Sequence, residues 1–209
     1  MRTRTEISKR PDKRPRGRPR SFTTPEVLDR VRAVFMAKGF AAASLDELAE
    51  AAGLNRPSLY AAFGDKEQLY IHALRFYGER SVAGLEAILG GKGTIDQRLG
   101  KVYKAAIELY TRPPRAQGCM IVGTATVEAP SRPKIAAVAF ELLDKIEQSF
   151  ERAFTRAVVD GELDREPSPA ARARIAGAAL DTLAIRARIG TKPAQLRSFA
   201  ASMIPAICR

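Results

Sequence analysis

Three short runs in this chain carry side chains suited to recognition rather than to bond making. Ser44-Leu45-Asp46-Glu47 sets a hydroxyl three residues ahead of a carboxylate, and Asn55-Arg56-Pro57-Ser58 groups an amide, a guanidinium and a hydroxyl within one helical turn. Arg14-Pro15-Arg16-Gly17-Arg18-Pro19-Arg20 alternates arginines with residues that hold a chain extended or let it approach a surface closely. A guanidinium presents a planar fork of donors that fits guanine O6 and N7 or a phosphate. Groups that make and break covalent bonds are scarce. His72 is the single histidine, so the commonest general base is nearly absent. Cys119 and Cys208 lie far apart and, with one histidine, form no zinc-ligand spacing. Gly90-Gly91-Lys92-Gly93-Thr94 hints at a phosphate loop but lacks the required spacing and a preceding strand. No catalytic residue, metal or cofactor is expected, and the chain does not read as an enzyme.

The placement of charge adds a partner class. The 209 residues carry a formal +12. Residues 1–24 hold nine Lys/Arg against Glu6 and Asp12, whereas residues 25–75 hold six against seven acids. A basic arm ahead of a nearly neutral folded segment points to a polyanion, nucleic acid or an acidic membrane. No run approaches the roughly 20 apolar residues of a membrane span, and no apolar stretch follows the charged start as in a secretory signal. Two thiols suit a reducing, cytoplasmic setting. With 45% hydrophobic and 28% charged residues the composition supports a sizeable soluble core.

The recognition residues need elements to hold them, and the spacing of apolar residues predicts helices throughout. Residues 1–22, rich in Arg, Lys and Pro, read as a disordered arm. Glycines and prolines then divide the chain into about nine helices, an all-α fold. Ser44 to Glu47 is a capping box opening a short helix with Leu45, Leu48, Ala49 and Ala52 on one face, and Gly53 offers the left-handed turn that ends it. Asn55 caps the next helix, Leu59 and Phe63 face inward, Gly64 stops it, and Asp65 with Gln68 opens another. Two short helices joined by a glycine turn form a helix-turn-helix.

The run from Ser44 to Leu69, with its Ala-Gly-Leu turn, Leu-Tyr-x-x-Phe helix and Lys-x-x-Leu opening, resembles the DNA-binding domain of the TetR/AcrR family of bacterial transcriptional regulators. The preceding helix from Pro25 to Gly39 fits too, so the resemblance covers about residues 24–70. It departs at Pro57 and Ala62, where many members carry Gly and His or Tyr. It implies an arm (1–22), a helix-turn-helix DNA-binding domain (23–70) and a helical ligand-binding and dimerisation domain (71–209). In such a fold the helix from Arg56 enters the major groove of double-stranded DNA. There Asn55 sits at its start, Arg56 can reach guanine, Pro57 can pack on a thymine methyl, and Ser58 meets a base edge or a phosphate. Ser44, Tyr60 and Lys66 match positions that usually meet phosphates. Each also has a plainer reading: Ser44 as a cap, Tyr60 as a core aromatic, Lys66 and Arg56 as solvated surface charges. In the arm, Arg-Gly-Arg-Pro resembles an AT-hook, with Arg16 and Arg18 in a narrow A·T minor groove; the alternative is a generic basic tail.

Beyond residue 90 the signals thin. Helices are predicted over 66–90, 94–112, 131–160, 167–189 and 193–208, with a shorter one at about 117–128. The small residues of 170–184 and the Leu196, Phe199, Ala200, Met203, Ile207 face suit either a homodimer interface or packing within one subunit. Tyr103, Ile107, Tyr110, Met120, Val138 and Leu142 suit a ligand pocket or plain core. Cys119 follows a Pro-Pro-Arg loop, where a helix start and Arg115 would lower its pKa and make it a sensor; the alternative is an inert buried thiol. The expected function is a homodimeric regulator, a repressor of a palindromic operator, answering to an unknown small-molecule or redox effector. The competing reading is an architectural protein that binds A·T-rich DNA through its arm without a specific operator.

Overall fold

A computed structural model describes residues 24–113 and 117–209. Among these residues there are nine helices and no strand. The basic arm with Arg16 and Arg18, and Arg115 in the loop before Cys119, lie outside the described residues. No described helix is long and apolar enough to cross a membrane.

Helix α1 (Thr24–Ala42) buries Val27, Leu28, Val31, Phe35 and Met36 along one face and breaks at Gly39, where φ is 78°. That break lets Phe40 turn inward beside Phe35, and the Tyr70 ring packs edge-on against both at 4.9 and 5.4 Å. Helix α2 (Leu45–Ala52) starts at the expected capping box and ends on Gly53 in the left-handed region. The Gly53 and Leu54 amides close its last turn on Glu50 and Ala49 carbonyls. Helix α3 (Arg56–Phe63) begins where Asn55 Oδ1 accepts the Ser58 amide at 2.8 Å, and Leu59 anchors it in the core. Helix α4 (Lys66–Leu89), capped by Asp65, runs 24 residues, roughly 36 Å. Its first half packs on α1, and Gly78 lets α7 approach so closely that a Cβ there would meet Leu142.

The remaining helices are α5 (Ile95–Tyr110), α6 (Thr126–Glu128), α7 (Pro133–Val159), α8 (Pro169–Arg188) and α9 (Pro193–Cys208). Their bounds fall close to those expected. The exception is the short helix expected at 117–128. Residues 117–119 are not helical, because Gly118 sits at φ 68° against the Ala184 carbonyl of α8. Helical geometry begins at Met120 with a wide turn over Ile121–Ala125 that leads into α6. There the Thr124 hydroxyl donates to the Met120 carbonyl and pairs with the Tyr70 hydroxyl at 2.7 Å. The small residues of α8 are largely internal: Ala173, Ala176, Ala179, Ala184 and Ala187 are buried within the subunit, as are Leu196, Ala200 and Ile207 of α9. The apolar stripe left open on α8 is Ile175, Ala178 and Ile185, continued by Ile189 at its C-cap and spaced as one helical face. Arg172 is fully buried, its guanidinium donating to carbonyls of Glu166, Pro167, Ile207 and Arg209, which ties the start of α8 to the end of α9.

Candidate nucleic-acid interface and effector cavity

The α2–turn–α3 unit presents one face. The N-cap Asn55 and Arg56, Pro57, Ser58, Tyr60, Ala61 and Ala62 of α3 are exposed, while Leu59 holds the helix from below. Tyr60 is 42% exposed, so it is a surface aromatic and not a core one. Arg56 is not a loose surface arginine. Its Nε and Nη2 donate to the two carboxylate oxygens of Asp46 on α2. A carboxylate held on that side of the guanidinium leaves the outer hydrogens of Nη1 and Nη2 facing away as a fork. Asp46 was not singled out from the sequence, since ten residues of separation match no helical or hairpin rule. The signal available was its place in the first turn of α2, which the turn brings beside the start of α3.

Other expected contacts are placed differently. The Ser44 hydroxyl is committed to the cap, donating to Glu47 Oε2 at 2.9 Å and accepting the Glu47 amide at 3.3 Å. Glu47 also receives Lys38, and these partners hold its pKa down at about 2. Lys66 is turned inward. Its ammonium donates to the Ala41 carbonyl at 3.2 Å and lies 4.8 Å over the Phe40 ring. Partial burial, and then the neighbouring charge of Arg132, lower its pKa.

A cavity of about 340 Å³ opens between α1, α4, α5 and the residues after Gly118. Asp29 and Arg32 of α1, Phe76, Tyr77 and Arg80 of α4, and Tyr110, Arg112 and Cys119 stand on its wall. Of the residues that suit either a pocket or plain core, Tyr103, Ile107 and Met120 are buried in the core: apolar side chains of identical type fill both environments, and only the fold separates them. Tyr103 donates its hydroxyl to the Ala176 carbonyl at 3.2 Å. Val138 and Leu142 are likewise core. Cys119 does reach the cavity, and of its two readings the geometry matches the buried thiol: its pKa is raised, not lowered. At 6% exposure burial dominates and pushes the thiol up, although the Tyr77 hydroxyl and the Val122 and Ile121 amides favour the thiolate. The cavity arginines were missed because an arginine at helical spacing reads as a solvated charge. His72 is exposed and packs edge-on against Phe63, outside both sites.

The family model described as bacterial regulatory proteins of the tetR family matches residues 27–73, from α1 into α4. The TetR family regulator CifR, solved as a cysteine mutant with 26-base-pair double-strand operator DNA, superposes with a TM-score of 0.82. It is 25% identical, over 90% of this chain and 99% of that one. Residues 27–73 thus carry the sequence pattern of the TetR-family DNA-binding region. An HTH-type transcriptional regulator of Bacillus subtilis, YezE, is 29% identical over 72% of this chain and 77% of its own length. The Escherichia coli HTH-type transcriptional repressor BdcR is 35% identical over 51% of this chain, and the match spans 54% of BdcR. Helices α1 and α4, which line the cavity, also pack against α2 and α3 of the helix-turn-helix, respectively.

Proposed function

We propose that this DNA-binding transcriptional regulator is a homodimeric, ligand-responsive repressor of a palindromic operator. In this reading residues 23–70 dock on DNA, residues 71–209 sense and dimerise, and residues 1–22 add arm contacts. The carrying observation is the exposed α3 face, with Arg56 clamped by Asp46 on a helix whose ends are capped and whose underside is buried. Arg56 reads guanine in the major groove; Asn55, Pro57 and Ser58 flank it, Tyr60 meets the phosphate backbone, and Ser44 fixes the α2 end that carries Asp46. The similarity to CifR on operator DNA and to the repressor BdcR supports this assignment. The exposed stripe of Ile175, Ala178, Ile185 and Ile189 supports a second copy as partner, because four helices brought together there would cover it. A buried thiol with a raised pKa favours a ligand over an oxidant as the signal.

Two-fold symmetry places two α3 helices in major grooves about 34 Å apart or a near multiple. A selection from a randomised duplex library at moderate salt tests the reading. The expected winners are palindromes with a guanine in each half-site and A·T flanks where Arg16 and Arg18 reach the minor groove. Enrichment of A·T content without symmetry would overturn the operator reading in favour of architectural binding through the arm.

A further inference from the structure

The wall of the cavity is apolar along α4 and α5 but carries three guanidinium groups against one carboxylate. Arg32, Arg80 and Arg112 stand on it with Asp29. The four are not equivalent. Arg32 holds Asp29 at 2.9 Å and lies 5.6 Å over the Tyr77 ring. Arg80 lies 5.2 Å over the Phe76 ring, a contact that covers one face of the guanidinium and leaves its in-plane donors open. Neither Arg80 nor Arg112 has a carboxylate partner among the described residues. Unpaired guanidinium groups at the mouth of an apolar cavity complement a ligand with a greasy body and an anionic head.

We infer that the cavity takes a small organic acid, its apolar body between α4 and α5 and its carboxylate on Arg80 and Arg112, and that the bound acid competes with Asp29 for Arg32. The inference rests on the ligand-responsive reading above and names the class of ligand. It also gives the signal a short route, because Arg32 and Asp29 belong to α1, the helix that carries the helix-turn-helix. A head group that draws Arg32 from Asp29 acts on α1 directly. It favours whichever placement of α1 binds the acid more tightly. Linkage then requires that operator DNA weaken acid binding by the same factor by which the acid weakens operator binding.

Titration calorimetry on the full chain tests this with decanoate and 2-naphthoate as aliphatic and aromatic probes. 1-Decanol and 2-naphthalenemethanol serve as their neutral counterparts. The expected result is saturable binding of at least one carboxylate, tenfold or more tighter than its alcohol. The Arg80→Gln, Arg112→Gln double variant is expected to lose that advantage; both side chains are exposed, so the fold is not at stake. Gly84 also lines the cavity, and a Cβ there meets nothing within 4 Å. Gly84→Phe is therefore expected to fill the space and abolish binding of all four probes. Equal affinity for acid and alcohol, or binding undiminished in the double variant, would overturn the anion site. Carboxylate binding that leaves duplex affinity unmoved would overturn the coupling through Arg32. Failure to select a palindrome would instead overturn the function proposed above while leaving the anion site standing.

Discussion

Arg56 illustrates how one ion pair is worth little as stability and much as geometry. The pair with Asp46 is solvent-exposed, where such contacts contribute between about 0 and 1 kcal/mol. Its use is to hold a long side chain in the one orientation in which its free fork faces outward. Arg56→Ala is expected to cost about 1–3 kcal/mol of discrimination at a single base pair per half-site. Asp46→Asn is expected to relax preference at the same base pair, even though losing a negative charge near DNA favours binding to any sequence. Competition between the selected duplex and single-base variants measures both. If Asp46→Asn tightened every duplex equally and kept the base preference, Asp46 would be only a surface charge. Asp181 on α8 makes a separate case. Burial raises its pKa from 3.8 to about 6. The native state therefore holds a proton that the unfolded chain has released between about pH 4 and 6, and stability falls as pH rises through that window. Asp181→Asn is expected to raise unfolding free energy by on the order of 1–2 kcal/mol at pH 7.5, screened by the part of the site that is open to water, and hardly at all at pH 4. Chemical denaturation at the two pH values reads the difference.

At the scale of elements, what was legible in the sequence was what local chemistry determines. Ser44 with Glu47, Gly53 and Asn55 set the ends of α2 and α3 through contacts no more than four residues apart, so the helix-turn-helix could be placed to the residue. The long helices were bounded by their glycines and prolines. The cavity was not legible, because its wall draws on α1, α4 and α5 together, and Arg32, Arg80 and Arg112 look like any surface arginine until those helices meet. The choice between the two readings of Cys119 was closed to the sequence for a related reason: its acidity depends on burial by distant helices rather than on its own helix start. The loop before it shows what such long-range packing demands. Gly118 sits at φ 68°, and a Cβ there would lie 2.6 Å from the Ala184 carbonyl. The Arg188 guanidinium donates past it to the carbonyls of Gln117 at 3.0 Å and Met36 at 3.3 Å, joining α8, this loop and α1. Gly118→Ala is expected to lower unfolding free energy by about 1–3 kcal/mol, from backbone strain and the displaced contact with α8. A denaturant midpoint indistinguishable from the parent would show that the loop yields freely.

For the whole molecule, the interior and the exterior of α8 do different work. Its alanines let neighbouring helices approach inside the subunit, while Ile175, Ala178, Ile185 and Ile189 remain open, Ile185 at 51% and Ile189 at 76% exposure. In the proposed dimer a second copy would cover these two isoleucines, and a symmetric pair of chains would match a symmetric operator. The most direct measurement is sedimentation velocity of the chain titrated against the selected duplex and against its isolated half-site, with Ile185→Asp in parallel. The account predicts two chains per palindrome bound cooperatively, the half-site bound at least tenfold more weakly, and a monomeric Ile185→Asp that no longer distinguishes the two duplexes. One chain bound per duplex, with equal affinity for palindrome and half-site, would contradict it.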